Sequence, residues 1–260
     1  MGTDSVPELA VVYGGGGLFG IGYSLGVAEA LTDRGFDLAH APALGTSAGS
    51  WAAAGTALGL GFSDALAQLA HRVPRVPDPR PGRLYAVAAE LLGADTRVPS
   101  VSVVVASRPG VHRTVLSAAD HPIADLVAAS SAVPGLLAPH RIGPTRYVDG
   151  GVRSLASIDL APAASHLLVV LPMAGPMFGP FGRLMERATR REIAAWADRN
   201  PEGTVTVVRP TAELRALVRR PDQLFDPERA RRGYDLAYSL GCDLVVPAAA
   251  AAPAGRRSAA

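Results

Sequence analysis

Short apolar runs recur along this chain, each closed by glycine or a polar turn, and most are followed by a longer stretch of helix formers. The runs predict strands near Leu9–Tyr13, Ala41–Thr46, Val101–Ala106, Arg141–Val148, His166–Leu171 and Thr204–Arg209. Helical spacing predicts helices over Ile21–Asp33, Ala48–Leu58, Ser63–Arg72, Leu84–Leu92, Ile123–Ser131, Phe181–Asp198 and Pro227–Leu240. Strands that alternate with helices build a mainly parallel sheet covered on both faces. The expected fold is therefore α/β, a three-layer α/β/α sandwich around a mainly parallel central sheet.

The length of 260 residues and the 48% hydrophobic content suffice for one large core, and one catalytic domain is expected over residues 1–246. Residues 247–260, with an alanine run and Arg256-Arg257, lack a core pattern and read as a disordered tail. Val73 to Pro81, rich in proline and arginine, reads as an irregular connection. The stretch from Ala41 to Phe62 is apolar enough to suggest a membrane span, but its glycines and central polar motif fit a buried strand and helix better.

That motif is Gly45-Thr46-Ser47-Ala48-Gly49, a G-x-S-x-G sequence between a predicted strand and a predicted helix. A serine on so sharp a turn needs neighbours without side-chain bulk, which Gly45 and Gly49 supply. The helix after it would aim free N–H groups and a positive dipole end at the serine oxygen. A second turn, Gly14-Gly15-Gly16-Gly17-Leu18-Phe19-Gly20, also joins a strand to a helix. Consecutive glycines let several N–H groups converge on one anion, a phosphate or an oxyanion. The phosphate reading lacks the Walker lysine and matches the dinucleotide fingerprint only loosely, although Asp37 stands where a ribose ligand would be wanted. A third turn, Asp149-Gly150-Gly151, follows a predicted strand; it suits a general base facing a serine and equally an ordinary turn.

In this order the glycine loop, G-T-S-A-G and D-G-G resemble the patatin-like phospholipase family. Ala129-Ser130-Ser131-Ala132-Val133-Pro134 is similar to that family's A-S-x-A-x-P segment, and Gly151-Val152-Arg153 with Asp159-Leu160-Ala161 to the stretch after its D-G-G. The resemblance runs from about Leu9 to Leu171. It implies a serine acyl hydrolase of lipid-like carboxylic esters, with Ser47 as nucleophile, Asp149 as base, and the N–H groups of Gly15, Gly16 and Gly17 as oxyanion hole. It implies no metal and no organic cofactor. Phe19 stands where many members carry Arg or Lys after the glycines, which removes a cation from the neighbourhood of an oxyanion or phosphate head group. An acyltransferase or thioesterase would use the same dyad, and a nucleotide- or phosphate-binding protein would use the glycine loop alone.

A Ser-Asp-His order would make His166, the sole histidine after Asp149, the rival base; at the mouth of an apolar run it reads as a strand-entry residue. His140 reads as structural. Each of the 25 basic residues is arginine, and against 23 acidic residues they leave a net charge of +2, which gives no case for nucleic-acid binding. Cys242 is the single cysteine, so no internal disulfide can form. The first residues lack a basic-then-apolar leader pattern, and cytoplasmic residence is expected. The loop Pro172 to Phe181 offers Phe178 and Phe181 as a lip for an acyl chain or a peripheral membrane contact, with Arg183, Arg187, Arg190 and Arg191 near anionic head groups. The same loop also reads as a cap packed on the core.

Overall fold

The computed structural model describes residues 6–63, 77–78, 80–107, 112–175 and 177–247. Its strands are β1 (Leu9–Tyr13), β2 (Ala43–Thr46), β3 (Val101–Ser107), β4 (His112–Ser117), β5 (His140–Ile142), β6 (Thr145–Asp149), β7 (His166–Val170) and β8 (Thr204–Val208). Its helices are α1 (Gly17–Asp33), α2 (Ala48–Leu58), α3 (Arg83–Leu92), α4 (Ile123–Ser130), α5 (Pro180–Arg199), α6 (Ala212–Leu217) and α7 (Pro227–Asp243). The sheet runs β5-β6-β3-β2-β1-β7-β8, with β4 paired to β3. The five strands from β3 through β8 in that order are parallel; β4 and β6 run antiparallel to β3, and β5 to β6.

Alternation along the strands explains the layers. Val11, Tyr13, Val103, Leu168 and Val170 face one side and join a core with residues of α1, α2, α3, α4 and α7. Ala10, Val12, Leu44, Leu167 and Val169 face the other, where Trp196 of α5 and the segment Ala156–Ala164 cover them. A strand buried on both faces has no polar alternation, which is why β1 and β7 read as unbroken apolar runs. The fold is the expected mixed α/β arrangement, a central sheet flanked by helices on both faces.

Four differences have local causes. The single strand expected over Arg141–Val148 is a hairpin, broken at Gly143-Pro144, with Gly143 at a φ of 55° as the first loop residue of such a turn can require. Strand β4 was not expected: none of its residues is buried, so its sequence His-Arg-Thr-Val-Leu-Ser carries little apolar signal. Helix α6 was also not expected; it is six residues long and is capped by the Thr211 side chain, which accepts from Leu214 N–H. Helix α1 begins at Gly17 rather than Ile21: the last glycine of the loop, at a φ of 60°, turns the chain directly into the first helical turn. The expected helix Ser63–Arg72, most of the Val73–Pro81 connection and the tail beyond residue 247 lie outside the described residues.

Candidate active site

The strand register brings the motifs together. Thr46, the last residue of β2, pairs with Val104, and Asp149, the last of β6, pairs with Val105. Ser47 and Asp149 therefore leave the sheet at the same level of β3. Tyr13, at the end of β1, pairs with Gly45, so the glycine loop opens beside them. Helices α1 and α2 both begin at this edge, and their positive ends favour negative charge between them.

Ser47 lies at φ 54° and ψ −122°, a conformation L-residues rarely adopt and one that costs on the order of 1–3 kcal/mol. The glycines around it are there because the chains nearly touch. A Cβ on Gly49 would fall 1.9 Å from the Tyr13 carbonyl oxygen, and one on Gly45 would fall 2.5 Å from the Ser50 Cα. Fully buried Ser130 holds the turn: its hydroxyl accepts from Ser47 N–H at 3.0 Å and donates to the Val104 carbonyl at 2.8 Å. It spans the gap left where β2 ends and the ladder to β3 stops. The motif resemblance marked Ser130 without giving it a task. Replacing Ser130 by Ala strands both backbone groups and is expected to cost about 1–3 kcal/mol of stability. Urea unfolding reads this as a lower midpoint at constant slope, and an unchanged midpoint would show that the bridge carries no net energy.

Asp149 is 3% exposed. Its Oδ1 accepts from Gly151 N–H at 2.6 Å, and the Ser47 hydroxyl lies close enough to the carboxylate to favour its ionised form. Burial pushes its pKa up to about 6, with the neighbouring Ser47 hydroxyl and the Gly151 N–H pulling the other way. Gly150 is required by close approach, since a Cβ there would lie 2.5 Å from the Val104 carbonyl oxygen. The result is a serine hydroxyl beside a carboxylate that is ionised at neutral pH yet more basic than a solvated one.

The glycine loop corrects one expectation. Gly15 N–H donates to the Leu155 carbonyl at 2.8 Å, as Gly14 N–H does to Val170 at 2.9 Å, so neither is free for a ligand. Among the described residues, no acceptor takes the Gly16 or Gly17 N–H. The donor set is thus Gly16 and Gly17, beside Ser47. A cavity of about 320 Å³ opens over these groups, lined by Ser47, Asp149 and Gly16 and walled by apolar side chains that include Leu18, Ile21 and Trp51.

The other candidates fall elsewhere. Phe19 does not line this cavity: it is fully buried, stacked near Tyr23 and pressed against Gly233 of α7. Phe178 is half-buried against the main core and is not among the cavity's lining residues, which corrects its reading as a lip. The Phe181 side chain lies outside the described residues. From the same loop Met173 does line the cavity, and Met177 is buried. Leu224 and Phe225, in a short 3₁₀ turn before α7, also line it; no motif marked them.

His166 is excluded as a base by register. It pairs with Leu9 at the start of β1, whereas the glycine loop follows Tyr13, four residues and roughly 13 Å further along the strand. Its Nδ1 is engaged with Thr204 Oγ1 at 2.8 Å. His140 has the structural place expected of it, with Nε2 2.7 Å from Asp125 Oδ1 and its ring stacked on Tyr85. Asp37 is occupied by His40, whose Nδ1 lies 2.8 Å from it.

The family model described as Patatin-like phospholipase matches residues 70–162, a stretch that includes Ser130 and Asp149 and stops short of Ser47 and the glycine loop. No curated protein matches the chain. Among solved structures, VipD from Legionella pneumophila is similar at 15% identity and a TM-score of 0.44, over 91% of this chain and 66% of that one. The chain thus spans just under two thirds of the length of that relative. The family match thus covers two of the four sequence motifs, Ala129–Pro134 and Asp149-Gly150-Gly151.

Proposed function

We propose that this protein is a serine acyl hydrolase of lipid-like carboxylic esters, working through Ser47 and Asp149 without a histidine. The observation that carries the reading is the strained Ser47, set beside a buried carboxylate in the wall of one apolar cavity. The family match supports a lipid ester as substrate. The two cores share one sheet, which supports a single catalytic domain over residues 1–246.

In the first step Asp149 takes the Ser47 proton as Oγ bonds to the ester carbonyl carbon, and the carbonyl electron pair moves onto oxygen. The Gly16 and Gly17 N–H groups hold that oxyanion; one such donor is typically worth about 2.7–4 kcal/mol of barrier. Collapse of the intermediate breaks the bond to the alcohol oxygen, which leaves with the proton from Asp149. Water then gives Asp149 a proton as its oxygen attacks the acyl carbonyl carbon, and collapse breaks the bond to Ser47 Oγ, which takes that proton back and releases the acid. A carboxylate at the reference pKa near ~3.9 is a weak base for this work, and burial of Asp149 lessens that deficit.

The apolar cavity accepts the acyl chain. No helix among the described residues is long and apolar enough to cross a membrane. Hydrolysis of p-nitrophenyl butyrate and palmitate tests the reading. Both are expected to turn over, with the lower KM for the longer chain; absence of turnover with either would contradict it.

A further inference from the structure

Arg141 and Arg146 stand directly opposite each other on the β5–β6 hairpin. Opposed residues of an antiparallel pair project from one face with Cβ atoms about 4.5–5.5 Å apart, and like charges so placed repel. The nearby acids offer no relief. Asp125 is taken by His140, and Asp78 is taken by Arg80 and Arg83. Among the described residues no carboxylate pairs with Arg141 or Arg146. Arg141 Nε is fixed by the Gly143 carbonyl at 3.0 Å, which leaves its terminal nitrogens to bind something else.

Both arginines line a second cavity, of about 480 Å³, whose remaining wall is the segment Gly135–Pro139 with Pro81. Leu136 and Leu137 of that segment also line the cavity over Ser47, so the two spaces adjoin through one pair of side chains. One space is apolar and holds the proposed reacting groups; the other carries two guanidinium groups that no carboxylate among the described residues pairs.

We propose that the second cavity binds the phosphate monoester group of a monoacyl lipid whose ester lies at Ser47. The inference rests on the hydrolase reading above and extends it to the substrate's head group. A phosphate monoester carries a charge of about −1.5 to −2 near neutral pH, which two guanidinium groups balance and one would not. Each guanidinium presents a planar fork that meets two phosphate oxygens at once.

The test compares kcat/KM for a 1-acylglycerol 3-phosphate and for the uncharged monoacylglycerol of the same chain. Wild type is expected to favour the phosphate ester by about tenfold or more at low salt, with the preference shrinking as salt rises. The Arg141→Gln/Arg146→Gln double variant is expected to bring the ratio close to one, and Arg141→Lys/Arg146→Lys, which keeps both charges, to retain part of it. Circular dichroism checks that each variant folds, and should the glutamine pair fail to fold, single glutamine variants at each position carry the test. Equal use of both esters by wild type, or a preference that survives loss of both arginines, overturns the proposal and leaves the hydrolase reading intact. If neither ester turns over, the hydrolase reading fails, and calorimetric binding to Ser47→Ala decides the subsite separately. There the acylglycerol phosphate should bind, and lose most of its affinity when the arginines are removed. Inorganic phosphate binding as tightly as the lipid would overturn the lipid assignment.

Discussion

Ser47→Ala and Asp149→Asn are each expected to lower kcat for ester hydrolysis by about four orders of magnitude, while His166→Ala stays close to wild type. Ser47→Ala removes the atom proposed to form the acyl-enzyme. Asp149→Asn keeps the shape of the side chain and can still accept from Gly151 N–H, but it cannot take the serine proton. On the proposed mechanism the two groups act in one step, so the double variant should be little worse than either single variant. His166 lies at the far end of the parallel strands and turns its Nδ1 to Thr204, so its loss touches no reacting atom. Steady-state kinetics on the p-nitrophenyl esters check all four. A dead, folded His166→Ala would require a different base, and an active Asp149→Asn would remove the dyad.

The second large effect is on stability, and it runs opposite to the first. The Asp149 carboxyl is pushed by burial from 3.8 to about 6 in the fold, so folding favours its protonated form. For a group raised in this way the stabilising contribution is complete below pH 3.8 and is lost as pH climbs through about 6. Above that the fold bears the cost of a buried charge, about 3 kcal/mol for a shift of about two units. Asp149→Asn escapes this cost. It should be more stable than wild type by up to that amount at pH 8, with the advantage closing between pH 6 and pH 4. Thermal unfolding at a series of pH values reads it as a Tm gain of several degrees that vanishes in acid. A gain independent of pH, or a loss at pH 8, would mean that the carboxylate is not held against its own solvation. The same titration should appear in wild-type kcat/KM, rising through an apparent pKa near 6 and flat above it. Stability would then be surrendered at Asp149 because the chemistry needs a stronger base there.

How much of this was legible in the sequence depended on whether the cause was local. Strands β1 and β7 are buried on both faces, so their apolar runs stand out without any partner being known. The Ser47 turn was legible because steric demand writes itself into neighbouring residues, here Gly45 and Gly49. Asp149 was legible for a similar reason through Gly150, although Asp-Gly-Gly by itself is an ordinary turn. What the sequence concealed is set by contacts between distant segments. Gly15 looks like its neighbours along the chain, and only the Leu155 carbonyl, 140 residues later, removes it from the donor set. Phe19 sits next to the loop in sequence, yet the direction in which α1 presents it sends the ring into the core against α7. Leu224 and Phe225 reach the cavity from just before the last helix, and nothing in their local pattern separates them from core residues. The Arg141–Arg146 pairing became visible once the expected single strand proved to be a hairpin.

The most direct test of the central claim is the site and pH dependence of covalent modification by a fluorophosphonate, whose electrophilic phosphorus is attacked by an activated serine. Peptide mapping by mass spectrometry should place one adduct, on Ser47. Its rate should rise with pH through about 6 as Asp149 ionises, and Asp149→Asn should abolish that dependence together with most of the rate. An adduct on Ser50, Ser130 or Ser131 instead, or a Ser47 reaction indifferent to Asp149, would contradict the account.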